Sequence, residues 1–339
     1  MFAIKRALKL NNREATLMAK HAGFRRVVFS RGLSLRTQMY GLVKLSDSKV
    51  INQLKKVLTN HLKKQPRLAG MNQLSSRVYQ NALIDLKDAF NRYGSEKSGN
   101  LIFASRRDGQ SFRVDLSNQK VVLNAGNTIK IPTVGTFPGH EPLESGFVSQ
   151  IFTISKEGSR WFVSFCVDAE LSPVQQLQES VGRDLGIRAF ATLSEAERLN
   201  NQVFDAPKPL KPAKTKLAIL QRKASRQVKG SKNQRKTYNK ISRIHSRISG
   251  IRKEFLQQLT TPTVKTFKLI KIGDLNVKGM IANHKLSLAR SDLGFYEFRR
   301  QIEYKCKMYG AKLVLVYQWF PSSKNCSNWG SKQDMLPLH

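Results

Sequence analysis

KLIKIGDLNVKGM (residues 268–280) reads as a buried strand running into a turn. Leu269, Ile270 and Ile272 are apolar, and Asn276 and Gly279 loosen the chain afterwards. Its surroundings decide the fold. Upstream lie three short strand signals, SVGRDLG (180–186), AFATLS (189–194) and RLNNQVF (198–204), followed by a helical segment. Downstream come a helix over about 291–309 and the strand AKLVLVY (311–317). Three strands, a helix, a strand, a helix and a strand is the order of an RNase H-like α/β domain.

Ahead of this domain the periodicity changes twice. FAIKRALKL (2–10) alternates well enough for one strand. KVINQLKKVLTNHLKK (49–64) puts Val50, Leu54, Val57, Leu58 and Leu62 on one helical stripe. NQLSSRVYQNALIDLKDAFNRYG (72–94) does the same with Leu74, Val78, Ala82, Leu86, Ala89 and Tyr93, and Gly94 supplies a stop. From about 100 to 168 the period is two: SFRVDLSNQKVVL, NTIKIP and SQIFTISKEGSRWFVSFCVD read as strands, the last a hairpin turning at KEGS. The expected architecture is α+β and multidomain. A β-barrel-like module (1–14 and 100–170) carries an inserted helical domain (15–99). AELSPVQQLQES (169–180) contains a linker, set at 171–180, and the α/β domain spans 181–330 with a basic helical segment over 206–260 and a tail at 331–339.

Charge narrows the function. The 339 residues hold 59 Lys and Arg against 23 Asp and Glu, a net +36, so a polyanionic partner is expected to neutralise the fold. No stretch approaches the roughly 18 apolar residues of a membrane span, so nucleic acid ranks above a membrane surface. From Ala206 to Lys253 there are 16 Lys and Arg and no acid, which favours phosphate contact over a merely solvated face. Ile241, Ile244, Ile248, Ile251, Phe255 and Leu259 form one apolar seam there, and KGSKN (229–233) breaks the segment into an antiparallel pair. The three cysteines, Cys166, Cys306 and Cys326, are odd in number and far apart, which points to a reducing cytoplasm without structural disulfides. Cys166 and Cys306 read as core thiols, and the six histidines show no metal-ligand spacing.

RNase H-like nucleases hold two Mg²⁺ ions roughly 4 Å apart with carboxylates from separate strands. VGRDLG supplies one such acid, Asp184, at the end of the first strand. The central strand ends instead at Gly273, and the nearest acid, Asp274, lies one residue later, on the opposite face by strand alternation.

Six blocks in unbroken order carry a family resemblance: VGRDLGIRAFATLS, KGSKNQRK, KISRIHSRISGIRKEFLQQLTT, IGDLNVKGM, SDLGFYEFRRQIEYKCKMYGAKLVLV and FPSSKNCSNWG, over about 180–330. Together they resemble TnpB, the RNA-guided nuclease of bacterial transposons and relative of type V CRISPR effectors. The resemblance implies a RuvC-type RNase H fold preceded by wedge and recognition domains. Members usually read IEDLNVKGM, with a catalytic Glu where this chain has Gly273, and usually have an apolar residue where this chain has Arg183. Their third acid lies beyond a zinc knuckle of two CxxC pairs. Here Cys326 remains, Trp329 stands at the second cysteine's place, and the sequence given ends at His339. The resemblance therefore implies a vestigial Asp184, lost Mg²⁺ and Zn²⁺ sites, and no cofactor beyond a guide RNA.

The apolar seams and the basic segment nevertheless persist together, as in a folded, used protein. The reading is a nuclease-dead, RNA-guided DNA-binding repressor of the kind derived from TnpB. Its partners are a guide RNA and duplex target DNA carrying a short flanking motif, with oligomeric state open. By position in the family, the flanking motif falls to Gln80, with Ser76, Arg77 and Asn81 around it, and to a loop bearing Ser117 and Asn118; Gln and Asn amides suit base edges. Lys229, Lys232, Arg235, Lys236, Lys240, Arg243 and Arg247 are the candidates for RNA and heteroduplex, joined by Arg106, Arg107 and Arg113. An active endonuclease recruiting Asp274 or Asp292, and a guide-independent basic transposon accessory protein, are the alternatives.

Overall fold

Strand β1 (Phe2–Leu8) pairs antiparallel along its whole length with β8 (Arg160–Val167), from Phe2 opposite Val167 to Leu8 opposite Trp161. In this computed structural model the described residues are 2–39, 47–57, 59–60, 70, 72–95, 99–105, 109–117, 119–144, 146–167, 174–185, 190–195, 198–273 and 294–317. They fall into two compact units, residues 1–170 and 171–339.

In the first unit β1 leads into α1 (Asn12–Met39), α2 (Asp47–Val57) and α3 (Ser76–Gly94). Asn11 and Glu14 open α1 with a reciprocal cap: the Glu14 N–H donates to Asn11 Oδ1 at 2.9 Å, and the Asn11 N–H to Glu14 Oε2 at 2.8 Å. On α3, Val78, Ala82, Leu86 and Ala89 are buried as their spacing predicts, while Tyr93 is exposed. Strands β2 (Gln110–Asp115), β3 (Val121–Leu123), β4 (Gly126–Ile131), β5 (Gly135–Leu143), β6 (Phe147–Ser149) and β7 (Ile151–Glu157) precede β8.

The expected barrel does not close. Six strands form an open sheet in the order β2-β7-β8-β1-β5-β4, and β3 pairs with β6 in a separate two-stranded ribbon. Closure requires the two edge strands to bond, and here β2 meets helices instead: Phe112 stacks on His21 of α1 at 5.2 Å, and Asn81 of α3 bonds Asp115. Strand β5 escapes a reading by propensity because it contains Pro138, Gly139 and Pro142. Its Pro138 carbonyl still accepts the Lys9 N–H at 2.8 Å, and a Cβ at Gly139 would lie 2.9 Å from the Glu141 carbonyl oxygen. Cys166, expected in the core, is exposed, because β8 alternation turns Trp161, Val163, Phe165 and Val167 inward.

The second unit runs β9 (Gln178–Leu185), β10 (Ala191–Glu195), β11 (Arg198–Phe204), α4 (Leu210–Arg226), α5 (Lys232–Thr266), β12 (Phe267–Gly273), α6 (Phe295–Tyr309) and β13 (Lys312–Val316). The last residues of the expected linker thus belong to β9, and the basic segment extends to Thr266, where α5 passes directly into β12. The sheet order is β11-β10-β9-β12-β13: the first three strands are antiparallel, and β12 is parallel to both β9 and β13. Gly310, at φ 81°, ends α6 with its N–H on the Cys306 carbonyl at 2.9 Å. The core centres on Phe190, with Phe255, Phe295 and Phe298 at ring separations of 5.3 to 5.4 Å.

The seam read along α5 divides in two. Ile241 and Ile248 pack with Leu217 and Ala224 of α4, whereas Leu259 joins the sheet core. Ile251, at the handover between these partners, is 37 % exposed. Among the described residues no helix is long and apolar enough to cross a membrane.

Candidate nucleic-acid interface

Helices α4 and α5 form an antiparallel hairpin locked at its turn by Gln234. Its Oε1 accepts the Gly230 N–H at 2.8 Å, and its Nε2 donates to the Ala224 carbonyl at 3.1 Å and the Gln227 carbonyl at 3.4 Å. Ser231 caps α5 by accepting the Gln234 N–H at 3.1 Å. With Ile241 and Ile248 turned toward α4, helical geometry turns the cations outward. Lys229, Lys232, Arg235, Lys236, Lys240, Arg243 and Arg247 are all exposed, and no carboxylate among the described residues pairs with them. Lys232, Lys236, Lys240, Arg243 and Arg247 recur every three or four residues and so form one stripe about 22 Å long.

Helix α6 shows the contrast. There Arg300 is bidentate on Glu297 at 2.8 and 2.7 Å, and Arg299 bonds Glu303 at 2.8 Å. The Arg300 guanidinium holds the Glu297 carboxyl below the usual range, so the charges of Arg299 and Arg300 are satisfied within α6. On α5 charge is left for an external anion.

The other predicted surface lies on α3 and β2. Ser76 is exposed, and Gln80 is half-buried with its Oε1 accepting from Arg77 Nη1 at 2.8 Å. Helix α3 meets the last residue of β2: Asn81 Nδ2 donates to Asp115 Oδ1 at 3.0 Å, and exposed Ser117 follows two residues later at φ 57°. Asn81 is 4 % exposed, and its Nδ2 is engaged by Asp115 and by the Arg77 carbonyl at 2.9 Å, so a base edge would have to compete with both. Arg113 is likewise engaged, with Asp85 at 2.7 Å, so phosphate would have to compete with that carboxylate. Arg106, Arg107, Asn118, Asp274, Asp292 and Cys326 lie outside the described residues.

One supporting residue gave no sequence signal. Buried His21 donates from Nδ1 to the Leu17 carbonyl at 3.0 Å, and its Nε2 accepts the Ser75 N–H at 3.2 Å. Acceptance at Nε2 requires neutral imidazole, and burial lowers the pKa in that direction against the Leu17 bond, which raises it. Through Ser75, the cap of α3, this histidine fixes the end of the helix that carries Ser76, Arg77 and Gln80.

In the second unit the register brings the two acid positions together. Ile272 of β12 pairs with Arg183 of β9, so backbone positions 273 and 184 are adjacent on neighbouring strands. Position 184 carries Asp and position 273 carries none. A Cβ built on Gly273 meets nothing within 4 Å among the described residues. Gly273→Glu is therefore expected to fold with stability within about 0.5 kcal/mol of the parent, checked by urea denaturation.

Comparison with known proteins agrees with this layout. A family described as "Probable transposase" (OrfB_IS605) matches residues 164–284, and a "Cas12f1-like, TNB domain" matches residues 295–338. A Streptomyces pristinaespiralis protein, provisionally named an RNA-guided DNA endonuclease, is 31 % identical over all of this chain and 84 % of its own length. Escherichia coli InsQ, provisionally named in the same way, is 29 % identical over 97 % of this chain and 83 % of its own length. A Cas12f1 chain from a complex with single guide RNA and target DNA superposes with a TM-score of 0.50 at 11 % identity, covering 98 % of this chain and 92 % of that one.

Proposed function

This chain belongs to the TnpB family, and from that premise we propose that it is an RNA-guided, sequence-specific DNA-binding protein that does not cut. It acts in the bacterial cytoplasm at the nucleoid as a transcriptional repressor, by occupying duplex DNA beside a short flanking motif. The observation that carries the reading is Gly273 at the backbone position next to Asp184. These two positions offer one carboxylate, and one carboxylate is not a fit for a pair of magnesium ions, which bring four positive charges beside a polyanion. No step is derived through a metal.

What the residues do is hold. The α5 stripe supplies cations for the backbone of a guide RNA and its heteroduplex, whose sequence is set by base pairing. The flanking motif is assigned to Gln80 with Ser76 and Arg77, beside the loop bearing Ser117. Binding opens a short R-loop and blocks polymerase by occupancy, with no turnover.

The test is direct. The protein is purified with co-expressed RNA, the RNA is sequenced, and matched duplex DNA is added with Mg²⁺. The expected result is a single structured RNA ending in a variable segment, with bound target whose strands both stay intact. Cleavage that Asp184→Ala abolishes would instead establish the second reading, an active endonuclease, which the retained Asp184 and the names of the relatives favour. A random RNA mixture would point to a guide-independent binder.

A further inference from the structure

We propose that Lys216 and Lys223 of α4 form a second row of phosphate contacts beside the α5 stripe, so that one flank of the hairpin holds both strands of an A-form duplex. The inference rests on the RNA-binding reading above and specifies the form of nucleic acid that the hairpin takes.

Along the hairpin the buried residues are Leu217 and Ala224 of α4 and Thr237, Ile241 and Ile248 of α5. Successive helix residues turn by about 100°, so the residue before each buried one points to one flank and the residue after it to the other. Because the two helices are antiparallel, the preceding positions of both fall on the same flank. These are Lys216, Lys223, Lys236, Lys240 and Arg247, all of them exposed cations. The following positions are Ala218, Ser225, Tyr238, Ser242 and Ser249, and none is charged. Charge is thus sorted to one flank around the buried seam. No carboxylate among the described residues pairs with Lys216 or Lys223. They lie about 10 Å apart along α4, and packed helix axes are separated by roughly 8–10 Å, so the two rows run side by side at about that spacing. A single strand offers one line of phosphates, whereas the strands bordering the wide minor groove of an A-form duplex offer two. The cationic flank also lacks a ring on which an unpaired base could stack, since Tyr238 is on the other side.

The experiment uses the full chain with three probes of equal length: a blunt RNA duplex, an RNA–DNA hybrid and single-stranded oligouridylate. Lys216→Gln with Lys223→Gln is expected to weaken duplex binding by about 20- to 100-fold at about 0.1 M salt and to lower the salt slope by about 1.8. Single-strand affinity should stay within about threefold of the parent. Lys214, which follows the half-buried Ala213, and Arg222 are exposed cations of α4 turned off that flank. Lys214→Gln with Arg222→Gln removes the same charge and should leave duplex affinity within about threefold. Glutamine preserves helix propensity in both pairs. A loss confined to the RNA duplex would make the ligand a stem of the guide, and one confined to the hybrid would make it the heteroduplex; either supports the second row. Unchanged duplex affinity, an equal loss on the single strand, or an equal loss from the Lys214 and Arg222 pair would overturn it. If Lys236→Gln with Arg247→Gln also leaves all three probes bound as before, the RNA-binding reading falls too; if that pair weakens binding, only the second row falls.

Discussion

Replacing Lys236, Lys240, Arg243 and Arg247 together by glutamine is expected to weaken nucleic-acid binding by on the order of 10³-fold at about 0.1 M salt. The estimate follows from where these side chains sit. All four are exposed on one stripe of α5, spanning about 16 Å of helix, and none shares its charge with a carboxylate among the described residues. Each phosphate they neutralise releases condensed counterions, so four contacts contribute a salt slope of about 3.6 on duplex DNA and about 2.8 on a single strand. The size of the drop in slope therefore also reports which form of nucleic acid lies on the stripe. Glutamine is as good a helix former as lysine or arginine, and the α4-facing residues Ile241 and Ile248 are untouched, so the hairpin should persist. The check is fluorescence anisotropy against the co-purified RNA across a salt series, with circular dichroism to confirm helix content. An unchanged slope would show that the stripe faces solvent in the complex. Replacing Arg299, Arg300 and Glu303 as a control should leave the slope nearly unchanged, because Arg299 and Arg300 are already committed within α6.

The second unit was legible from sequence because its signals are strong and local. Ile270 and Ile272 are buried on β12, the break at KGSKN does separate two helices, and the strands fall in the order anticipated. The position of Gly273 beside residue 184 then follows from parallel register, which a strand order implies but does not fix to the residue. The first unit resisted for a different reason. Whether six strands close is decided by whether the edge strands β2 and β4 pair, and they do not: side chains of β2 pack instead on α1 and α3 from distant sequence, on His21 and Asn81 among them. The same contact explains why a polar helix residue such as Asn81 reads as available while being buried: Asp115 lies 34 residues away. Proline and glycine hid β5, since its hydrogen bonds come from neighbours rather than from its own propensity. The seam along α5 misled only at Ile251, because a period of three to four gives a face but not the place where one partner ends and the next begins.

Arg183→Met is expected to stabilise the second unit by about 1–3 kcal/mol in urea denaturation at pH 7. Arg183 immediately precedes Asp184 on β9 and is only 4 % exposed. Its Nη2 donates to the Thr263 hydroxyl and to the Leu259 carbonyl at 3.5 Å, and its guanidinium lies over the Phe298 ring at 5.6 Å, but Nε and Nη1 find no acceptor among the described residues. No carboxylate among the described residues offsets the charge, and burial pulls its pKa down to about 9. Two buried nitrogens without acceptors, on a desolvated cation, cost more than a hydroxyl bond, a long carbonyl bond and a ring contact return. Methionine keeps most of the volume and the packing on Phe298 while removing the charge. A second buried cation supplies an internal control. Lys305 donates to Gln257 at 2.5 Å and to Thr260 and Thr261 at 2.7 Å, and burial lowers its pKa to about 8 from 10.5. Between about pH 8 and 9 the unfolded chain binds more protons at Lys305 than the folded one, so stability should rise across that window. Above about pH 9 Arg183 adds to the rise, while the Cys306 thiol, pushed up to about 11 by burial, opposes it. The rise below pH 9 belongs to Lys305 and should persist in Arg183→Met, whereas the gain from the Arg183 substitution should already be complete at pH 7, where both folded and unfolded Arg183 are charged. A loss of stability in Arg183→Met would mean that Thr263 and Phe298 repay the buried charge, and that the strand bearing Asp184 is held in place by its arginine.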